Sequence, residues 1–474
     1  MATPIPSNSA EFSLRELVAE TAAATHGVPF ERVIGVESDT RKDLRGKLYV
    51  ALEGESFDGH DFVAEAGRNG AAAALVARRV AGLELPQLLV SSPLAALGAL
   101  ARAHRRRWGQ RLSCIVGSAG KTTTKAVVGA LLEASEPGGV RVTPGNLNNR
   151  VGVPMVLLTL AAHHQRAVIE VGTNQRGEVA SLARVTEPDV AVLTLVDWEH
   201  AQGIGDLDAI EQEEGDMLRA LGAEGIAVAN GDDTRARRQL ERSPARSRIT
   251  FGFGEGCDYR VAERRVRDMG QVIELQRPTG PGLRIETRLL GYAGAMSWAA
   301  GISTAEAMLG EAVTAELVHE AAVALGEGET GRLRPQVLRD GTVVINDSYN
   351  SNPVSVHRSI AAAREIAEVR GVRLVLVLGE MRELGEESVA AHRSLARWLQ
   401  PTDKLVAVSG DMRLLEAEAA ARGIAAVGVE NAKQAAAAAA EFIAAGDVVL
   451  VKGSRSVGLE LAVEALVAAR GVPG

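Results

Sequence analysis

The residues best suited to chemistry lie in a glycine-rich loop, residues 117–122, that follows a short apolar run. Gly117 and Gly120 let the backbone turn with its N–H groups facing inward, Lys121 can reach terminal phosphates, and Thr122 can offer a hydroxyl to Mg²⁺. Apolar residues at helical spacing after the loop predict a helix whose positive N-terminal end also favours phosphate. The loop therefore predicts a site for a nucleoside triphosphate. Its residues are Gly117, Ser118, Ala119, Gly120, Lys121, Thr122 and Thr123.

Two further side chains are positioned to complete a metal site beside this loop. Glu170 ends the apolar run 167–169, and His200 follows the run 190–196. A carboxylate is a hard oxygen ligand that suits Mg²⁺, and a neutral imidazole can serve at a second metal. Considered alone, a glutamate at a strand end is more often a solvated carboxylate, and a single histidine more often has a structural role. Their combination with Thr122 predicts a magnesium shell.

Three other stretches concentrate polar side chains where strands are expected to end. These are residues 143–149, 346–353 and 451–456. Loops beyond strand ends are where polar groups converge on a ligand, although the same residue types also form turns and helix caps. Composition alone favours an ordinary loop for the first stretch.

The composition restricts the classes of protein to which the chain can belong. The chain has 474 residues, 46% hydrophobic and 24% charged, with only 3% aromatic residues and a net charge of −8. Low aromatic content and negative charge both argue against a nucleic-acid partner. Two cysteines provide no disulfide framework, and no signal peptide or membrane span is recognisable, so we expect a cytoplasmic protein.

The order of apolar runs predicts an α/β fold with three domains: a small N-terminal α/β domain, a central parallel-sheet domain and a doubly wound C-terminal domain. We expect them to span residues 1–108, 109–328 and 329–474. Strands are predicted at 47–52, 71–76, 87–90, 166–171, 190–196, 225–229, 342–345, 373–378, 404–408 and 447–451.

Read together, these segments resemble the Mur ligase family over nearly the whole chain. The resemblance rests on residues 38–41, 48–54 and 57–60 in the first segment, 117–122, 145–149, 170–178 and His200 in the second, and 331–332, 347–353, 378–385 and 452–456 in the third. The third-segment motifs are the most specific to the branch that adds D-alanyl-D-alanine to UDP-N-acetylmuramoyl-tripeptide.

The resemblance implies an ATP- and Mg²⁺-dependent amide ligase with a central P-loop ATPase domain and a Rossmann-like C-terminal domain. It implies that UDP-N-acetylmuramoyl-tripeptide and D-alanyl-D-alanine are its substrates and that the chain is a monomer. The nucleotide would also contact Asn149, Arg332 and Asp347. The implied substrate residues are Ser38, Asp39, Thr40, Arg41, His60, Asn146, Thr173, Asn174, Asn350, Asn352, Lys452 and Arg455.

Two departures from the family pattern leave alternatives open. Where the family has a carbamylated lysine that supports a second Mg²⁺, this chain has Glu214, which keeps a negative charge without CO₂ but is shorter. Where the family holds adenine with a His-Asn pair and a further Asn, this chain has Ala293, Gly294 and Ser297. The alternatives are a sister ligase with another amino donor and a non-catalytic protein that binds nucleotide or UDP-sugar.

Overall fold

The computed structural model describes residues 3–54, 56–198, 201–326 and 331–473. The chain folds into three α/β domains, each built on a largely parallel sheet. Parallel sheets need a crossover connection between successive strands, which accounts for the alternation of strands and helices along the sequence.

The N-terminal domain contains a sheet whose order is β2-β7-β6-β5-β4, with β2 antiparallel to the rest. Its short strands β1 and β3 pair separately. The strands are β1 Glu11–Ser13, β2 Ala24–His26, β3 Arg32–Ile34, β4 Val36–Glu37, β5 Leu48–Val50, β6 Ala73–Val76 and β7 Gln87–Leu89, and the helices are α1 Leu14–Thr21, α2 Val63–Arg68 and α3 Pro93–Trp108.

The central domain has the order β16-β15-β14-β13-β12-β11-β8-β10-β9. Strands from β9 to β14 are parallel, and β14, β15 and β16 form an antiparallel extension. The strands are β8 Arg111–Val116, β9 Val140–Val142, β10 Arg166–Glu170, β11 Val190–Leu193, β12 Ile226–Asn230, β13 Ser247–Gly252, β14 Tyr259–Arg267, β15 Gly270–Gln276 and β16 Leu283–Thr287. The helices are α4 Lys121–Ser135, α5 Gly152–Leu157, α6 Glu178–Thr186, α7 Ala201–Ile204, α8 Leu207–Arg219, α9 Thr234–Arg242, α10 Gly291–Leu309 and α11 Ala315–Leu325.

The C-terminal domain is doubly wound, with the order β17-β18-β22-β19-β20-β21 and only β17 antiparallel among the strands described. Its strands are β17 Arg334–Val337, β18 Val343–Asp347, β19 Leu374–Gly379, β20 Lys404–Val408, β21 Ala425–Val429 and β22 Val448–Lys452, and its helices are α12 Pro353–Arg370, α13 Ser388–Ser394, α14 Leu414–Ala420, α15 Ala432–Phe442 and α16 Glu460–Arg470. Short 3₁₀ turns occur at Gly59–Phe62, Gly385–Glu387, Leu395–Trp398, Gly410–Arg413 and Arg455–Val457.

Close helix packing fixes the helix that follows the glycine-rich loop. Helix α4 buries Val127 and Val128 against α10, where Trp298 is fully buried. A Cβ on Gly301 of α10 would lie 2.3 Å from a methyl carbon of Val127, so only glycine permits this approach of the two helices. The start of α4 is therefore held firmly at the carboxyl end of β8.

The central and C-terminal domains meet where α10 packs against α12. Gly291, at the start of α10, has φ +66°, and a Cβ there would lie 2.6 Å from that of Ala362. Arg264 of β14 forms an ion pair with Glu365 of α12 beside this contact. The two domains thus enclose a shared space at the carboxyl ends of their strands.

All ten strands predicted between 47 and 451 are present, with bounds that differ by a few residues. The strands β13 to β16 were not predicted as such. Strand β14 carries charged residues on its exposed face, so it lacks the continuous apolar run by which the parallel strands are recognised. Among the described residues, no helix is both long and apolar enough to cross a membrane.

Candidate functional site

The glycine-rich loop connects β8 to α4 and rests against the residues that follow the neighbouring strand β11. Gly117 has φ +128°, and a Cβ there would lie 2.3 Å from Oγ1 of Thr194. The Ser118 N–H donates to the Leu195 carbonyl at 2.8 Å, and its hydroxyl donates to the carbonyl of Asp197 at 2.8 Å. These bonds fix the loop in a turn that leads into the N-terminus of α4. That is the geometry in which backbone N–H groups and the helix dipole receive an anion.

The first turn of α4 presents the side chains that a nucleotide needs. Lys121 donates from Nζ to the Gly117 carbonyl, so its ammonium group lies folded over the loop. Thr122 is buried, and both residues line a cavity of about 440 Å³ between the central and C-terminal domains. A lysine in this position can offset phosphate charge as a point charge.

Glu170, the last residue of β10, faces this cavity from the next strand in the sheet. It lies 3.1 Å from Nζ of Lys125, and its other carboxylate oxygen accepts a hydrogen bond of 2.9 Å from the Asn148 amide. Burial alone would raise the pKa of Glu170, but the positive charges of Lys125, Arg332 and Lys121 outweigh it and hold this pKa below its usual value. Glu170 is therefore an ionised carboxylate inside the protein.

The asparagine-rich loop before α5 is attached to the same cluster. Lys125 donates from Nζ to the Gly145 carbonyl at 3.0 Å. Asn149 accepts hydrogen bonds from the N–H groups of Val151 and Gly152 at 3.1 and 2.8 Å, so part of its role is to turn the chain into α5. Asn146 accepts a hydrogen bond of 2.7 Å from Thr3. The loop is both a turn and part of the cavity wall.

The C-terminal domain contributes the facing wall through the ends of two paired strands. Asp347 and Lys452 are register partners in β18 and β22, and Nζ of Lys452 donates to Oδ2 of Asp347 at 2.7 Å. Ser359 donates to the same carboxylate at 2.5 Å, and Lys452 also donates to the Asn350 carbonyl at 2.8 Å. Asn352 lines the cavity and also caps α12 through the Ser355 N–H at 2.8 Å.

Two arginines of this domain lie against one aromatic ring. The guanidinium carbon of Arg332 is 4.1 Å from the centre of the Tyr349 ring, and that of Arg455 is 5.7 Å from it. Arg332 and Tyr349 line the cavity, whereas Arg455 pairs with Glu460 at 3.6 Å. The ring holds the Arg332 side chain in the cavity wall, where its charge helps to lower the pKa of Glu170.

The cavity brings together most of the residues predicted for nucleotide, metal and substrate. They are Ser118, Ala119, Gly120, Lys121, Thr122, Thr123, Asn146, Asn149, Glu170, Thr173, Asn174, Arg332, Asp347, Asn350, Asn352 and Lys452. Within the described part of the chain, Gly117, Glu214 and Arg455 are outside its wall, as are the N-terminal-domain residues. His200 lies outside the described residues, so its predicted role stays a prediction.

Helix α8 places two buried carboxylates next to each other in sequence. Glu213 accepts hydrogen bonds of 2.7 and 2.8 Å from the N–H groups of Gly177 and Val179, and so it holds the loop that follows β10. Thr173 donates to Glu213 at 3.3 Å. Glu214 is 2% exposed. Glutamate side chains are rarely buried this deeply unless they are paired with another group.

The predicted substrate residues of the N-terminal domain form a separate region. Thr40 and Arg41 line an open cavity of about 660 Å³, together with Lys42, Asp43, Arg45, Glu65, Arg68, Asn69 and Gly70. Asp39 forms a bidentate pair with Arg41 at 2.8 Å, and the Ser38 N–H donates to the buried carboxylate of Glu37 at 2.9 Å. Several cations around one open cavity are suited to an anionic ligand.

His60 is 3% exposed and has protein partners at both ring nitrogens. Nδ1 lies 2.6 Å from the Asp58 carboxylate, and Nε2 accepts the Ala77 N–H at 2.9 Å. Arg78 pairs with Asp58 and Glu53, so a guanidinium already neutralises the carboxylates around this imidazole. The arrangement positions residues 58–60 and leaves the predicted substrate contact of His60 as a prediction.

Several residues in or beside the cavity were not predicted from the sequence. Lys125 could have been found, because it lies one turn after Lys121 and therefore on the same face of α4. Asn230 ends β12, a strand-end signal like that of Glu170. Arg358 carries no comparable signal, because only the packing of α12 against α10 brings it to the cavity.

The donor set fits the implied magnesium ion. Thr122 offers a hydroxyl, and Glu170 offers a carboxylate that is ionised at neutral pH, both on the wall beside the glycine-rich loop. Hard oxygen donors close to phosphate are the usual ligands of Mg²⁺, which keeps several water molecules as further ligands.

Comparison with known proteins identifies the chain's relatives. Residues 115–305 match the Mur ligase middle domain, and residues 331–455 match the domain described as Mur ligase, glutamate ligase domain. The UDP-N-acetylmuramoyl-tripeptide–D-alanyl-D-alanine ligase of Escherichia coli is 36% identical over 360 residues, which cover 75% of this chain and 76% of the relative. The enzyme of the same name from Bacillus subtilis is 31% identical over 464 residues, covering 95% and 97%.

Solved structures show the same similarity in three dimensions. The crystal structure I of MurF from Acinetobacter baumannii superposes with a TM-score of 0.85 at 28% identity and covers 98% of this chain and all of that one. The MurF ligase of Thermotoga maritima in complex with ADP superposes with a TM-score of 0.80 at 28% identity, covering 91% of this chain and 96% of that one.

Proposed function

The chain belongs to the Mur ligase family, and from this premise we propose how its cavity works as an ATP-dependent peptide ligase of peptidoglycan synthesis. The activity joins D-alanyl-D-alanine to UDP-N-acetylmuramoyl-tripeptide and forms UDP-N-acetylmuramoyl-pentapeptide, a precursor required for cell-wall growth, cell shape and division. The observation that carries the proposal is the single cavity in which the glycine-rich loop, Glu170 and the Asp347–Lys452 pair face one another across two domains.

The chemistry follows from the poor reactivity of a carboxylate toward an amine. A carboxylate oxygen of the tripeptide attacks the γ-phosphorus of ATP, the bond to the bridging oxygen breaks, and ADP leaves. The acyl phosphate then accepts the amine of D-alanyl-D-alanine at its carbonyl carbon, and inorganic phosphate departs with the electron pair. One ATP is consumed for each amide bond, and the amine loses its proton in the second step.

The phosphate end of the cavity supplies positive charge where negative charge develops. The N-terminus of α4 and the loop N–H groups receive the phosphates, and Lys121 leaves the Gly117 carbonyl to reach them. Thr122 and Glu170 would hold Mg²⁺, which supplies charge neutralisation and orientation for the phosphates. Preorganised donors of this kind are usually the largest contribution in phosphoryl transfer.

The facing wall gives the C-terminal domain a part in the same reaction. We assign Arg332 and Asp347 to the nucleotide, and Asn350, Asn352 and Lys452 to the incoming dipeptide and the reacting groups. Lys452 and Asp347 neutralise each other without ligand, so neither charge is buried alone before substrates arrive. Because the groups come from two domains, catalysis requires the domains to be closed.

The N-terminal domain takes the UDP-sugar end of the tripeptide substrate. The open cavity at Thr40 and Arg41 carries Lys42, Arg45 and Arg68, which suit a diphosphate. His60 serves by holding the neighbouring loop through its two hydrogen bonds. We further propose that the chain acts as a monomer in the cytoplasm, where ATP and UDP-linked precursors are available, and that it has no nucleic-acid partner.

Phosphate release in an omission series tests the function. Purified protein with ATP and Mg²⁺ receives the UDP-linked tripeptide alone, D-alanyl-D-alanine alone, both together, or the tripeptide with a different amine. The product mass is measured, and binding of ATP and of UDP-sugar is titrated separately. Release that needs both substrates and gives the pentapeptide supports the ligase. Release with the tripeptide and a different amine selects the sister ligase. Binding of ATP and UDP-sugar with no release under any condition selects the non-catalytic binding protein.

A further inference from the structure

One part of the cavity wall is mostly apolar and has few side chains that can hydrogen-bond a nucleotide base. It includes Phe251, Leu289 and Leu290, followed by Ala293 and Gly294 at the start of α10. An apolar slot beside a phosphate site is suited to the base of a nucleotide.

Asn230 is the amide side chain in this part of the wall, and both polar atoms of its side chain already have hydrogen-bond partners in the protein. Its Nδ2 donates to the Thr194 carbonyl at 3.0 Å, and its Oδ1 accepts the Asp232 N–H at 2.9 Å. These bonds join β12 to β11 and to the following turn. Recognition of a base therefore needs a contribution from another part of the wall.

Arg358 of α12 provides a cation at this place. Its guanidinium carbon lies 5.7 Å from the centre of the Tyr292 ring, and the residue lines the cavity. Tyr292 stacks on Phe253 with 4.4 Å between ring centres, and its hydroxyl donates to Asp232 at 3.0 Å. The ring is thereby held in place, and it holds the guanidinium in turn.

Arg358 differs from the other arginines of its helix. Arg364 is paired with Asp403 at 2.9 Å, and Arg370 with Asp268 at 2.8 Å. Across the described ranges, Arg358 makes neither an ion pair nor a hydrogen bond. Burial raises the pKa of Asp197, at the glycine-rich-loop side, and Arg358 is close enough to oppose that rise. The guanidinium thus lies beside the Tyr292 ring with its donors available.

We propose that Arg358, held in place by Tyr292, forms the base-end contact of the nucleotide in this chain. The planar guanidinium lies against the purine, in the way it lies against the Tyr292 ring, and donates to ring nitrogens, which are acceptors. The inference deepens the proposed function, because it rests on ATP as substrate. Since α12 belongs to the C-terminal domain, base binding also joins the two domains across the α10–α12 contact.

A phosphate contact for Arg358 is less consistent with the geometry. The phosphate end already has Lys121 and the N-terminus of α4, whereas Arg358 lies beside the Tyr292 ring. The two possibilities differ in one measurable respect: only a phosphate contact would affect a ligand that has no base.

Calorimetric titration of the full chain with ADP and, separately, with inorganic tripolyphosphate tests the inference. Arg358→Ala should weaken ADP binding about five- to thirtyfold, the range of one cation–π contact, and leave tripolyphosphate binding within about twofold. The ADP affinity of Arg358→Lys should lie between those of the parent and Arg358→Ala, because lysine keeps the charge but lacks the planar guanidinium group. His357→Ala, the neighbouring residue that stacks on Trp398 at 3.5 Å, is the matched control and should bind ADP normally.

Two results would overturn the inference. One is unchanged ADP affinity in folded Arg358→Ala, and the other is an equal loss for ADP and tripolyphosphate, which would make Arg358 a phosphate contact. ADP binding does not require ligation, so the two proposals can fail separately. A protein that binds ADP but forms no pentapeptide refutes the proposed function, and the ADP titration of Arg358→Ala still tests the role of Arg358. In an active enzyme, Arg358→Ala should raise KM for ATP by a similar factor and change kcat little.

Discussion

Lys125 supplies the positive charge that Glu170 needs to stay ionised inside the protein. The two charged groups are 3.1 Å apart, and their side chains are 3% and 2% exposed. Lys125→Met keeps the length of the side chain and removes both the charge and the hydrogen bond to the Gly145 carbonyl. Removing one partner of a buried ion pair costs about 3–5 kcal/mol, because the other charge is left uncompensated.

This loss of stability should lower the melting temperature of the central domain. A domain of about 150–250 residues loses roughly 2–4 °C for each kcal/mol, so Lys125→Met should lower its midpoint by about 6–20 °C. Scanning calorimetry resolves the transitions of a multidomain chain, and the central one is identified as the transition that ADP raises. Lys433→Met, at an exposed lysine of α15, is the control and should melt like the parent.

A second substitution separates the charge from the packing. Lys125→Met combined with Glu170→Gln removes the uncompensated charge and keeps a carbonyl that can accept the Asn148 hydrogen bond. The double variant should therefore recover most of the decrease in melting temperature, since replacement of a buried ion pair by neutral residues is often tolerated. The reasoning fails if Lys125→Met melts like the parent, or if the double variant is no more stable than the single one.

Three further predictions concern charge in other places. Lys121→Ala should lower steady-state phosphate release about 10²-fold or more while the fold persists, as for loss of one electrostatic stabiliser, and near-normal turnover of a folded variant would exclude the role. Glu214 carries its charge without CO₂, so activity in degassed buffer should be indifferent to added bicarbonate, whereas Glu214→Lys should become dependent on it; strong stimulation of the parent would contradict this. Burial holds the pKa of His392 below its usual value, and its Nε2 accepts the Met381 N–H at 2.9 Å, so protonation favours the unfolded chain. The C-terminal domain should keep its full stability above about pH 6.5 and lose some below it, and the loss should be smaller in His392→Gln; equal pH slopes would refute this.

The sequence predicted what depends on local pattern. Apolar runs located the parallel strands, and the glycine-rich turn located the loop before α4 that lines the cavity, because both signals are contained in a few consecutive residues. Glu170 and Asp347 were identifiable for a related reason: they end buried strands, and parallel strands share one edge for their carboxyl ends.

The remainder depends on contacts between distant segments. The pairing of Lys125 with Glu170 joins residues from α4 and β10, and nothing at either position alone indicates the other. Arg358 reaches the cavity only because α12 packs against α10 across a domain boundary. His60 has hydrogen-bond partners at both ring nitrogens within its own domain, and its place in a motif did not indicate them.

The most direct test of the account follows oxygen from the tripeptide into phosphate. UDP-N-acetylmuramoyl-tripeptide labelled with ¹⁸O in its reacting carboxylate is incubated with the enzyme, ATP, Mg²⁺ and D-alanyl-D-alanine, and the released phosphate is analysed by mass spectrometry. An acyl phosphate formed in the cavity transfers one labelled oxygen to each phosphate released with a pentapeptide. Pentapeptide formation with unlabelled phosphate would contradict activation of the carboxylate by phosphoryl transfer.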